Sequence, residues 1–107
     1  MSSEQLRVGL VAGTLGRGGA ERQLYYQVKT MVSSGVTPMV ASLSANEHWE
    51  EPIRQLGVDV RTFGKERSPT RRVAELTRLL HAFRPQVVQS AHFYTNLYVC
   101  AAARLLR

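Results

Sequence analysis

Short apolar runs alternate along this chain with stretches of helical periodicity, and that alternation constrains the fold more than any other feature. Arg7-Val8-Gly9-Leu10-Val11-Ala12 is a short run with little in–out alternation, the pattern of a strand buried on both faces of a parallel sheet. From Gly18 the period changes: Ala20, Leu24, Val28 and Met31/Val32 fall on one helical stripe, and Gly35 stands where a left-handed cap would end it. Met39-Val40-Ala41-Ser42-Leu43 is a second strand, with Pro38 at its start, where a missing N–H is tolerable. Trp49, Ile53 and Leu56 in 46–56 have helical spacing, but Pro52 predicts a short or broken helix. Val58–Phe63 alternates as an edge strand would, with one wetter face.

The next helix carries the clearest signals. Ser68 can cap it, Pro69 suits its first turn, Val73, Leu76, Leu80 and Phe83 form its stripe with Leu79 widening it, and Pro85 stops it. Gln86–Ser90 reads as another buried strand, and 94–106 as a helix with Leu97, Cys100/Ala101 and Leu105 on its apolar side. Strand–helix alternation with short connections requires right-handed crossovers. The expectation is a single α/β domain over 1–107, flexible at 1–6, with a Rossmann-like parallel sheet in the order 3-2-1-4 and helices on both faces. A sheet of this kind normally continues past its fourth strand. The expectation is therefore a truncated sheet, either a fragment or an edge covered by a second copy in a homodimer.

Composition removes other classes. With 107 residues and 44% hydrophobic content, the chain can bury one core. Its one cysteine, Cys100, forms no internal disulfide, which makes a reducing, cytoplasmic compartment the default; within its apolar helix it is expected to be buried and inert. No run approaches the length of a membrane span, and the first residues lack the pattern of a signal peptide. The net charge of +6, carried mainly by arginine, favours anionic partners without choosing among them. A nucleic-acid partner would rest on charge alone, because the aromatic residues are not interleaved with the basic ones, and none is expected.

Gly13-Thr14-Leu15-Gly16-Arg17-Gly18-Gly19 lies between the first strand and the first helix. A helix N-terminus there offers unpaired N–H groups and partial positive charge, glycines admit a phosphate to the backbone, and Arg17 and Arg22 add formal charge. The loop is not a Walker A sequence, which needs Lys then Ser/Thr. Nor does it match the dinucleotide fingerprint: Glu21 stands at the third glycine, and Leu43-Ser44 supplies no ribose-binding acid.

Gly18-Gly19-Ala20-Glu21-Arg22 resembles the "GGAER" opening of GT-B-fold glycosyltransferases of family 4, and Pro85–His92 resembles that family's "PDVVHxH" strand and loop, with Gln86 and Gln89 replacing an Asp and a His. The resemblance covers 7–107 and implies the acceptor-side, N-terminal portion of a retaining, metal-independent, sugar-nucleotide-dependent enzyme. The donor-binding domain, with its paired glutamates, is not represented, so the chain alone is expected to be inactive. It also implies that Gly18 and Gly19 lie against the donor diphosphate, that Glu21 and Arg22 shape that loop or contact acceptor or phosphate, and that His92 sits near the reacting sugar as the catalytic candidate; Gly16 and Arg17 join them as phosphate-binding candidates from the loop itself. The alternative is a small phosphate- or nucleotide-binding module that oligomerises without catalysis.

The other candidates are weaker. His81 lies off the helical stripe, as a surface residue would, and His48 falls in a weakly patterned segment. Arg67, Arg71, Arg72 and Arg78 form a basic cluster; it is either a solvated helical face or, through Arg67, Arg71 and Arg72, a contact for anionic lipid or a lipid-linked acceptor at the inner membrane face. Tyr25, Tyr26, Phe93, Tyr94 and Tyr98 suit core or cleft wall. No His/Cys/carboxylate spacing predicts a metal site, and no pairing predicts a nucleophile.

Overall fold

The computed structural model describes residues 6–13, 16, 19–44, 47–64, 68–90 and 96–106. Its elements, in chain order, are β1 (Arg7–Ala12), α1 (Gly19–Ser33), β2 (Thr37–Ser42), α2 (Glu50–Arg54), β3 (Asp59–Thr62), α3 (Pro69–Phe83), β4 (Val87–Ser90) and α4 (Asn96–Leu105). All strand pairs are parallel and the order is β3-β2-β1-β4, the Rossmann-like arrangement that the alternation predicts.

The pleat divides the core into two layers. Val8, Leu10, Ala12, Val40 and Val60 meet Leu24 and Val28 of α1 and Ile53 of α2. Val11, Met39 and Ala41 turn the other way and meet Leu76 and Leu80 of α3, Ala102 of α4 and Phe63. Pro38 fits inside β2 because Thr37 N already donates to Leu6 O (2.8 Å). The next amide would point toward β3, whose pairing starts only at Met39.

Loop chemistry follows the sequence closely. Gly35 has φ +82°, Gly35 N donates to Val32 O (3.2 Å) and Val36 N donates to Met31 O (2.9 Å), a left-handed helix end with Met31 and Val36 packed on the same core. The Pro52-containing helix α2 is five residues long. Helix α3 starts at Pro69, but its N-cap Ser68 makes no side-chain capping bond.

Four readings of burial need correction. Strand β4 is a half-exposed edge rather than a buried strand, with Val87 47% exposed. Val88 packs on the α3/α4 layer, but α1 sits over β2, leaving Val87 and Gln89 uncovered on the other face. Cys100 is exposed, not buried. Helix α4 packs on α3 through Tyr98, Val99 and Ala102, a face rotated by one residue, about 100°, from the anticipated stripe. Leu105, expected on the apolar side, is 66% exposed. At the end of α1 it is Met31 that packs inward, while Val32 is left exposed.

Candidate functional site

From β1 the chain runs outward through β2 to β3 and then crosses back through α3 to β4 on the other side of β1, so the topological switch lies between β1 and β4. The crevice outside the carboxyl ends of the strands at such a switch is where open α/β sheets receive ligands. Gly13 follows β1 there and is buried. Ser90, the end of β4, pairs with Val11, so the segments that follow β1 and β4 leave from neighbouring strand ends.

A hydroxyl network fixes this floor. Ser42 Oγ donates to Ser44 O (2.9 Å), and Ser44 Oγ donates to Gly13 O (3.4 Å). Leu43 N donates to Ala12 O (3.0 Å) and Phe63 N to Ser42 O (2.9 Å), locking β1, β2 and β3 together at this end. Sequence reasoning noted Ser44 only as the absence of a ribose-binding acid. Two serines two residues apart carry no spacing signal for the role they fill in holding the glycine junction.

Of the anticipated phosphate-binding residues, Gly16 is half-buried in a bend and Gly19 is the exposed first residue of α1. Among the described residues, a Cβ at Gly19 would meet nothing within 4 Å. Glycine at a helical position costs about 1 kcal/mol relative to alanine, and no described neighbour requires it here. Glu21 lies in the first turn of α1 and is only 6% exposed, placing its carboxylate at the positive end of the helix dipole from within the fold. Arg22 is exposed, its guanidinium 5.9 Å from the Tyr26 ring centroid. Arg17, Gly18 and His92 lie outside the described residues, as do Phe93 and Tyr94.

Next to α2, Trp49 stacks on Tyr25 of α1 with centroids 4.8 Å apart, and the exposed His48 meets the edge of Trp49 at 5.0 Å. Tyr25 and Trp49 are half-buried and pack on the core beneath α1 and α2, whereas Tyr26 is 48% exposed. His81 is exposed.

The basic cluster does not act as a unit. Arg71 is exposed, whereas Arg72 is half-buried and donates Nη1 to Tyr98 Oη (3.2 Å), tying α3 to α4. Arg78 donates Nε to Glu75 Oε1 (3.0 Å), and this bond, reinforced by the carboxylate charge, raises the guanidinium pKa above its ordinary value. Arg67 lies outside the described residues. Among the described residues no three or more His, Cys, Asp or Glu side chains are grouped to hold a metal ion, and no helix is long and apolar enough to cross a membrane.

The fold is a Rossmann-like α/β unit in which the carboxyl ends of β1 and β4 lie side by side. The model of Glycosyltransferase Family 4 matches residues 17–107, and the chain belongs to that family. No curated protein matches it. Among solved structures, it is similar to glycinamide ribonucleotide transformylase 1 from Symbiobacterium toebii, with 21% identity, 86% of this chain and 43% of that one covered, and a TM-score of 0.66. It is also similar to the phosphoribosylglycinamide formyltransferase (purN) of Coxiella burnetii in complex with CHES, with 15% identity, 84% and 42% coverage, and a TM-score of 0.62. At these identities the likeness is one of fold. The chain spans about two-fifths of the length of these structures.

Proposed function

We propose that this chain is the acceptor-side, N-terminal portion of a GT-B glycosyltransferase that moves a sugar from a nucleotide donor to a glycan or lipid-linked acceptor with retention of configuration. Family membership over residues 17–107 supports the reaction class. The observation that carries the site is Gly19, where α1 begins at the sheet's switch point and where no described atom comes within 4 Å of an added Cβ. In this reading, backbone N–H groups at Gly16, Gly18 and Gly19 receive the donor diphosphate, Arg17 and Arg22 add positive charge, and Glu21 and the Ser42–Ser44–Gly13 network hold the loop. His92 stands near the reacting sugar, in the segment that follows β4. Of the basic residues Arg67, Arg71 and Arg72, the exposed Arg71 is the one that meets an anionic acceptor or membrane surface at the cytoplasmic side, Arg72 being tied to Tyr98.

One Rossmann-like unit supplies only part of the donor's contacts, those to the diphosphate, so the 107-residue chain alone binds a sugar nucleotide without turning it over and needs the donor-binding domain of its parent enzyme. A complementation assay tests this: activity is expected only when the two portions are combined. Turnover by the chain by itself would overturn the division of labour.

A further inference from the structure

Val60 of β3 packs in the α1/α2 layer, so its neighbours Asp59 and Arg61 turn to the opposite face of the sheet. Helix α3 lies on that face over β1 and β2, and beside it, over β3, is a recess of about 340 Å³. Arg7 from the start of β1, Arg61 from β3 and Arg78 from α3 line it, and among the described residues Asp59 is the one carboxylate in the lining. Met39, Leu79 and Phe83 supply an apolar wall. The recess lies at the amino ends of β1 and β3, whereas the glycine junction follows the carboxyl end of β1.

All three guanidiniums are held by their Nε side. Arg7 Nε donates to Phe83 O (2.8 Å), Arg61 Nε to both Asp59 carboxylate oxygens (3.0 Å), and Arg78 Nε to Glu75 Oε1 (3.0 Å). Nη2 of Arg7 and of Arg78 reinforces the same contact. Nη1 of each guanidinium, and Nη2 of Arg61, has no hydrogen-bond partner among the described residues. Local contacts therefore orient the three forks and leave N–H groups on each.

Charge selects the occupant. A single inward-facing pair such as Asp59–Arg61 is enough to protect an edge strand. Three guanidiniums against one carboxylate go further and leave +2 in the recess. The adjoining groove of about 420 Å³ adds Arg54 and Glu75, one charge of each sign, and leaves that surplus unchanged. Like charges brought together from three elements beside an apolar wall focus their field on a counter-ion. A cation or a neutral ligand gains nothing from that field. A carboxylate offers two acceptor oxygens to three forks, whereas a phosphate group offers three and carries about −1.5 to −2 at pH 7.

We propose that the recess between α3 and β3 binds a phosphate group, as the free ion or as a small monoester, at a site separate from the glycine junction. A phosphate held there joins β1, β3 and α3 through Arg7, Arg61 and Arg78, so binding also stabilises the fold.

The test is a titration of the ¹⁵N-labelled 107-residue chain at pH 7 with inorganic phosphate and with glycerol 3-phosphate, at an ionic strength held constant with sodium chloride. Saturable shifts of the Arg61 and Arg78 Nε–H resonances are expected, with a dissociation constant of about 1 mM or below. Equal affinity for the two probes assigns the free ion, and tighter binding of glycerol 3-phosphate assigns a monoester. Arg61→Ala and Arg78→Ala should each weaken binding about fivefold or more with native amide dispersion retained, because each removes one charged fork. Asp59→Asn should tighten it. Lys29→Ala, which removes the same charge from an exposed position on α1 across the sheet, should leave it unchanged. No saturable shift at Arg61 and Arg78 with either probe, or shifts confined to Gly16 and Gly19, overturns the proposal. So does an equal loss in Lys29→Ala, which would reduce the effect to net charge.

Discussion

At Gly64 an added Cβ would lie 2.0 Å from the Leu43 carbonyl oxygen, so the backbone after β3 passes against the backbone after β2 with no room for a side chain. Gly64→Ala is expected to destabilise the fold by about 3 kcal/mol or more, because neither partner is a flexible side chain that could give way. Gly19→Ala makes the opposite prediction. With no described atom near that Cβ, alanine should leave stability unchanged or raise it by up to about 1 kcal/mol. The same methyl would stand where a phosphate has to approach, so nucleotide affinity should fall roughly tenfold, about 1.4 kcal/mol. Chemical denaturation and calorimetry on the two variants separate a glycine the fold requires from one the ligand requires. Cys100 gives a third residue-scale test: its exposure predicts reaction with a thiol reagent in the native state, whereas protection until unfolding would contradict the packing of α4.

Among the elements, β1 is fastened at both ends. At its start, Arg7 donates Nε to Phe83 O (2.8 Å) and lies 4.3 Å over the Phe83 ring, and the backbone of Gln86 donates to Arg7 O (2.8 Å). Arg7→Ala should cost about 1–2 kcal/mol, the sum of a cation–π contact and a net hydrogen bond, read as a lower denaturation midpoint. The elements themselves were legible in the sequence because each depends on local signals. The period change at Gly18, the cap at Gly35, Pro52 within α2 and Pro69 at the start of α3 all act within a few residues. Which side of an element meets a neighbour is a different matter. Cys100 and Leu105 lie outward because Tyr98, Val99 and Ala102 are the residues that meet α3, and nothing in the 94–106 segment distinguishes the two apolar faces. The glycine junction was legible for the same local reason, whereas Ser42 and Ser44 were not, since their role depends on β1 lying beside β2.

Across the whole molecule the two sheet edges differ. Along β3, Arg54 donates Nη2 to Val60 O (3.1 Å) while paired with Glu50 (3.2 Å), and Arg61 pairs with Asp59 (3.0 Å), so charge and a guanidinium cover that edge. Along β4, Val87 and Gln89 stand exposed without such cover. Sedimentation at rising concentration is therefore expected to show association that Val87→Lys suppresses; an unchanged monomer would contradict an adhesive β4 edge. The switch point between β1 and β4 lies between the two edges, and the central claim concerns what binds there. Calorimetry of the chain with a UDP-sugar, a GDP-sugar, NAD and ATP tests it most directly. The account predicts that a sugar nucleotide binds in preference to NAD and ATP, and that Gly19→Ala weakens it. Tight binding of NAD or ATP with no preference for a sugar nucleotide would contradict it.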